Sequence, residues 1–449
     1  MSDPVFRAAS HFGLGPRPGE LARIARRGAR RWLLDQLAAG VPQPAALDAI
    51  APSAETLADM FAFERRRTEA GAKPVASYLD KLRAEMLPQL ASRVAAAAGT
   101  RAPFRERLVH FWSNHFTVST VGAQRRIATS CVAYENEAIR ARLDGSFAHM
   151  LRAVVQHPVM LVYLDNAQSM GPRSPLGRNR QRGLNENLAR EILELHTLGV
   201  DGGYGQDDVA ALARIISGWT VADGVRIPAP AGGFHFLAAG HEPGPQVLLG
   251  RTYDQAGVAQ GEAALADLAR HPSTVRFLAR KLAVHFVADR PDEAVVAHLE
   301  GVWRDSDGHL PTVHAALVDL PGSLDGVRTK VRSPSEFMIA ALRGLDLPRL
   351  SDEAVLGGLR MLGQFPFQAP SPAGWPDAGD HWASPNALLQ RIDWASQVGV
   401  RVGSARDPEA LADFMLPADD VATRQAIVGA ESPAQGLALL LGAPAFQWR

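Results

Sequence analysis

Short helical periods opened by proline recur along this chain, and they constrain the fold more than any other feature. Pro18-Gly19-Glu20-Leu21 opens a segment running to about Ala39, with Leu21, Ile24, Leu33, Leu34 and Leu37 near helical spacing. Pro44 starts a second segment and Pro74 a third, which ends in the alanine run Ala95 to Ala98; alanine-rich stretches poor in β-branched residues favour helix. Pro103 stands at a first-turn position for the segment to about Phe116, where its missing N–H takes nothing from the helix ladder. Further helical stretches are predicted at about 124–142, 145–156, 184–198, 206–217 and 258–270, then at 274–288, 292–304, 333–344, 353–362 and 385–400, with shorter pieces after 408. Trp219 to Tyr253 breaks the rhythm with β-type and turn residues and predicts a hairpin or two. Two loops stand out, Gln168 to Arg182 and Pro366 to Trp382. The expected fold class is therefore mainly α: a multi-helix globular protein with a small β-hairpin insertion. A chain of 449 residues exceeds one ordinary core, and the division expected is 1–165, 166–255 and 256–449, with no clear linker between the parts.

Lys+Arg and Asp+Glu each number 47, so the formal charge is zero and no global attraction draws the chain to nucleic acid or to an anionic membrane. The basic run Arg26-Arg27-Gly28-Ala29-Arg30-Arg31 reads as a solvated helix face. The single cysteine, Cys131, excludes an intrachain disulfide and a Cys-rich zinc site, and reads as a small core residue. No stretch is long and apolar enough to predict a transmembrane segment, and the first residues lack the basic start and apolar core of an export signal. The expectation is a cytoplasmic protein as written, or a periplasmic one if a leader was removed.

Five stretches could carry chemistry. In Glu106 to Phe116, the residues Glu106, His110 and Asn114 fall at i, i+4 and i+8 along one face, whereas His115 points elsewhere, so His110 and His115 need not serve one site. In Gly183 to Gly199, Asn187, Arg190, Glu191 and Glu194 share one side of a helix and Leu188, Ile192 and Leu195 the other. That face is either solvated or turned into a cleft, where a carboxylate can act as a base or a metal ligand. Asp207 and Asp208 open the next helix and complement its dipole. His235 and His241 lie on irregular backbone, which suits ligands or proton shuttles. His271 to Phe286 carries Ser273 as an N-cap candidate, and Arg280 and Lys281, which face water or an anion. No phosphate-binding loop, dinucleotide fingerprint or Gly-x-Ser-x-Gly elbow appears.

In this order, several stretches resemble a bacterial family catalogued as a domain of unknown function, number eighteen hundred. They are Phe12 to Leu21, Phe111 to Phe116, His157 to Asn166, Asn185 to Gln206, Phe234 to Phe236, His241 to Pro245, His271 to Thr274 and Pro372 to Asp377. The resemblance implies a large helical protein. It also implies a partner, since members are often encoded beside a second family that looks alkaline-phosphatase- or sulfatase-like. Ser113 stands where the family often has histidine, and His110 is not a typical family position; both departures weaken a metal site on that helix.

Two readings follow. In the first the chain is an enzyme with a polar cleft of Asn114, His115, Asn187, Arg190, Glu191, Glu194 and His241. Glu191 or Glu194 is then the base, with Asn187 beside it, Arg190 clamps an anion, and His115, His241 and Glu191 are candidate ligands for a divalent transition metal. In the second it is a non-catalytic partner or assembly protein acting with the co-encoded phosphatase- or sulfatase-like protein, the same polar residues forming buried networks that fix helix packing.

Overall fold

The computed structural model describes residues 3–69, 75–180, 183–225, 227, 229–326, 330–347 and 351–449, with backbone alone at 75–77, 123–124 and 180. Among the described residues the chain forms twenty-three α-helical segments and two two-stranded antiparallel sheets, a mainly α fold with small hairpins. Proline does open many helices: Pro103–His115, Pro158–Tyr163, Pro272–Phe286, Pro334–Gly344, Pro385–Val402 and Pro433–Gly442 each carry it in the first turn.

Local backbone chemistry redraws several expected boundaries. The segment expected from Pro18 to Ala39 is two helices, Glu20–Arg27 and Ala29–Asp35, because Gly28 adopts φ +83° and breaks the ladder. The loop expected at 168–182 contains the helix Pro175–Arg180, with residues 181 and 182 outside the described part. Ser273 is not the cap of its helix. His271 is, its Nδ1 accepting the Ser273 N–H at 3.2 Å, and His157 caps Pro158–Tyr163 in the same way through the Val159 N–H. In a His-Pro pair the proline offers no N–H, so the histidine ring serves the next free donor.

The first strand pair joins Trp219–Val221 to Phe234–Phe236, with Thr220 opposite His235. The second joins Gln246–Leu248 to Arg251–Tyr253 through Leu249 and Gly250, both at positive φ as a tight two-residue hairpin demands. Leucine is strained there. The Asp208 carboxylate accepts the Leu249 N–H at 2.7 Å while its other oxygen accepts the Gly205 N–H, so one side chain holds both the turn and the start of Gln206–Ile215.

Among the described residues three helical rods change pitch to the wider π form, at Ala8–Phe12, Glu135–Ile139 and Ile192–His196. Such turns occur mostly as local bulges and frequently near functional sites. Two large apolar clusters fill the interior. One is built from residues between Ala8 and Leu320, and the other runs from Leu14 to Phe446, so both draw on distant parts of the chain. Phe367 packs against both and marks their seam.

Candidate functional site

A cleft of about 110 Å³ opens along this seam. Its walls come from the helices Pro103–His115, Pro272–Phe286 and Pro334–Gly344, the loop 366–382 and Arg449. The loop is fastened by Asn114. Its Nδ2 donates to the Trp375 carbonyl and its Oδ1 accepts the Trp375 N–H, both at 2.8 Å, so one amide side chain pairs with backbone like a strand. Gly374 permits the approach: a Cβ there would lie 2.5 Å from the Asn114 carbonyl oxygen, and its φ is +84°.

Two histidines line the cleft. His285 Nδ1 donates to Asp377 Oδ1 at 2.7 Å, and its Nε2 is buried with no hydrogen-bond partner. Burial pushes the His285 pKa below the usual histidine range despite Asp377, so the ring is neutral at pH 7. Asp377 is held ionised against its own burial by His285, Lys281 and Lys330, and Lys330 Nζ also donates to the Asp377 carbonyl at 2.8 Å. His110 Nε2 lies 3.6 Å from Glu106 Oε1 and makes no hydrogen bond; burial brings His110 down to about 4. Glu106 is engaged elsewhere. Burial alone would raise its carboxyl, but the two-pronged contact with Arg140, at 2.6 and 2.8 Å, outweighs burial and brings it to about 2.

Beneath them Glu336 receives an Arg107 guanidinium nitrogen, and Arg449 Nε stands 3.3 Å from its other oxygen. Burial would raise the Glu336 carboxyl, yet Arg107 and Arg449 hold it well below the usual range. The same carboxylate closes the capping box of Pro334–Gly344 by accepting the Ser333 N–H at 2.9 Å.

The residues singled out in the sequence scatter among different surroundings. Asn114 is at the cleft. His115 is buried against Trp112, Phe116 and Phe277, its Nε2 donating to the His196 carbonyl at 3.2 Å and its Nδ1 unpartnered. His241 Nδ1 donates to the Ser217 carbonyl at 2.9 Å, and the adjacent Glu242 is clamped by Arg173. Asn187 is exposed. Arg190 binds Glu186 at 3.3 Å and Gln206 at 2.9 Å. Glu191 is half-buried, with one carboxylate oxygen enclosed and unpartnered. Burial, then Glu194, raise its pKa to about 7. Arg280, expected to face water or an anion, is part-exposed and pairs with Glu293. Among the described residues no three His, Cys, Asp or Glu side chains gather closely enough to hold a metal ion, so His115, His241 and Glu191 do not form one ligand set here.

Sequence reasoning left out Arg107, Glu336 and Arg449, and gave no role to His285, which lies within the stretch His271 to Phe286. Ser333-Pro-Ser-Glu336 carries the spacing of a capping box, a signal that finds Glu336 as a cap but not as the counter-charge of two arginines.

The fold and cleft define a mainly helical protein with buried histidine and arginine side chains at the junction of its two apolar clusters. A family profile described as Protein of unknown function (DUF1800) matches residues 7–448, and the chain belongs to that family. No curated protein and no solved structure matches it. Among the described residues no helix is long and apolar enough to cross a membrane.

Proposed function

We propose that the chain is an enzyme whose reaction runs in the cleft under the 366–382 loop, with His285 as the group that accepts and returns a proton. The observation carrying this reading is the pair His285–Asp377. Asp377 accepts the hydrogen bond of the Nδ1–H at 2.7 Å, which leaves Nε2 with its lone pair, and that nitrogen is buried without a partner beside the cleft. A carboxylate on one ring nitrogen fixes the tautomer and stabilises the imidazolium that forms when the other takes a proton. The lowered pKa keeps the ring in its basic form at neutral pH. Asn114 and Gly374 act as positioning residues, since they seat the loop that brings in Asp377.

The test incubates the purified protein with a small-molecule cell extract and follows consumed and formed species by mass spectrometry. Wild type changes the pool, and His285→Gln slows that change by roughly 10²- to 10⁴-fold, the usual contribution of a positioned general base. Equal conversion by both proteins, or none by either, removes the reading.

A second reading, a partner protein acting with a separately encoded phosphatase- or sulfatase-like protein, is favoured by one observation. Leu389, Ile392 and Val400 project from the helix Pro385–Val402 at 60%, 47% and 78% exposure. Apolar groups gathered on a surface mark interaction sites. On this reading Ile392→Asp with Val400→Asp abolishes co-purification of the two proteins, and unchanged recovery rejects it.

A further inference from the structure

We infer that the cleft holds the small oxyanion of its substrate, a carboxylate or phosphate group, against Arg107 and Arg449. This rests on the catalytic reading of the same cleft and names the class of molecule it takes. Both arginines are almost wholly enclosed, at 1% and 2% exposure, and both line the cleft. Arg107 spends one terminal nitrogen on the His11 and Gly13 carbonyls and the other on Glu336, and its Nε has no hydrogen-bond partner. Arg449 donates one terminal nitrogen to the His285 carbonyl at 2.9 Å. Its other terminal nitrogen and its Nε make no hydrogen bond, the Nε being misaligned with the Glu336 oxygen 3.3 Å away.

A guanidinium is donor-only, so the partner these nitrogens lack is an acceptor. An enclosed polar group without a partner is destabilising by about 1–3 kcal/mol, more when charged, and such groups call for an explanation such as a bound ion or a functional role. Charge points the same way. Among the described residues Glu336 is the one side-chain carboxylate within ion-pair distance of both guanidiniums, and Asp377 acts on Arg107 only from farther off, in a poorly screened place. Arg93 also reaches the cleft, but Glu135 takes both its Nε and a terminal nitrogen.

Size narrows the class. At about 110 Å³ the space is smaller than the ~150 Å³ that admits benzene in an engineered cavity, so it takes an oxyanion and the atoms next to it. Trp375 and Trp382, whose rings stand 6.0 Å apart, also line the space. Because Arg449 is bonded to the backbone of His285, an anion drawn to that guanidinium is brought to the residue that carries the base.

The test titrates inorganic phosphate, and separately acetate, into the full-length protein by calorimetry, and follows the arginine Nε–H resonances by NMR. At least one of the two anions should bind wild type and shift the Arg107 and Arg449 resonances. Arg449→Gln should weaken binding at least tenfold, and Arg280→Gln, a change in an exposed pair with Glu293, should leave it unchanged. The wild-type resonances decide the matter should Arg449→Gln fail to fold. No binding of either anion, or binding that leaves both resonances unmoved, overturns the inference. The two readings fail separately. Anion binding that persists in His285→Gln supports the oxyanion site whether or not His285 is the base, and turnover that depends on His285 without anion binding would sink the oxyanion alone.

Discussion

The helix face from Asn187 to Glu194 and the cleft at His285 are built from the same residue types, yet they stand in opposite physical states. On the helix face the polar contacts are local: Arg190 pairs with Glu186 four residues away and donates to Gln206 sixteen away, in partial contact with water. In the cleft the contacts join His285 to Asp377 across 92 residues, Arg449 to His285 across 164 and Arg107 to Glu336 across 229, nearly all enclosed. Water screens the first set and leaves each pair worth little; the second set lies where an unmatched charge is expensive. A polar helix face is thus a weak guide to a site, whereas enclosed donors without acceptors are a strong one.

Three substitutions test that contrast. Glu336→Gln should have the largest effect. It keeps an acceptor for the Ser333 N–H but leaves two enclosed guanidiniums without a counter-charge, a loss of about 3–5 kcal/mol in denaturant unfolding. A loss near that of a surface pair would erase the distinction. Glu191→Gln should come next, and its effect should depend on pH. The folded-state value near 7 exceeds the ordinary carboxyl value, so wild type carries a stabilising proton that is fully present below about pH 4.5 and is lost as pH rises through 7. The glutamine variant should therefore gain on wild type by ~1 kcal/mol between pH 5 and pH 8, a figure reduced for partial solvent screening. A difference that stays constant with pH would place Glu191 with the ordinary surface carboxylates. Arg190→Ala should change stability by no more than ~0.5 kcal/mol. A loss of several kcal/mol would put the charges of the helix face on the same energetic footing as those of the cleft.

The same contrast explains what could be read in the sequence. Helix positions after residue 258 were legible because apolar spacing and first-turn prolines are local signals; Val258–Arg270 matches its expected bounds. The π turns were not, since the pitch of Ile192–His196 depends on what packs around it. Leu310–Val318 was missed because it is apolar nearly all round and shows no face. At the site, Asn114 and the Pro372–Asp377 stretch were visible as motifs. Their meeting was not, because nothing local in Asn114 says that it will pair with the backbone of Trp375, 261 residues away.

The reach of these contacts also sets an order in time during synthesis. His285 emerges 164 residues before Arg449, and ribosomes add roughly 5–20 residues per second, so the histidine waits roughly 8 to 30 s for the guanidinium that binds its backbone. Until then Glu336 lacks one of its two cations and the cleft lacks part of its floor. A nascent chain of this protein gains a complete pocket only once Arg449 has joined it.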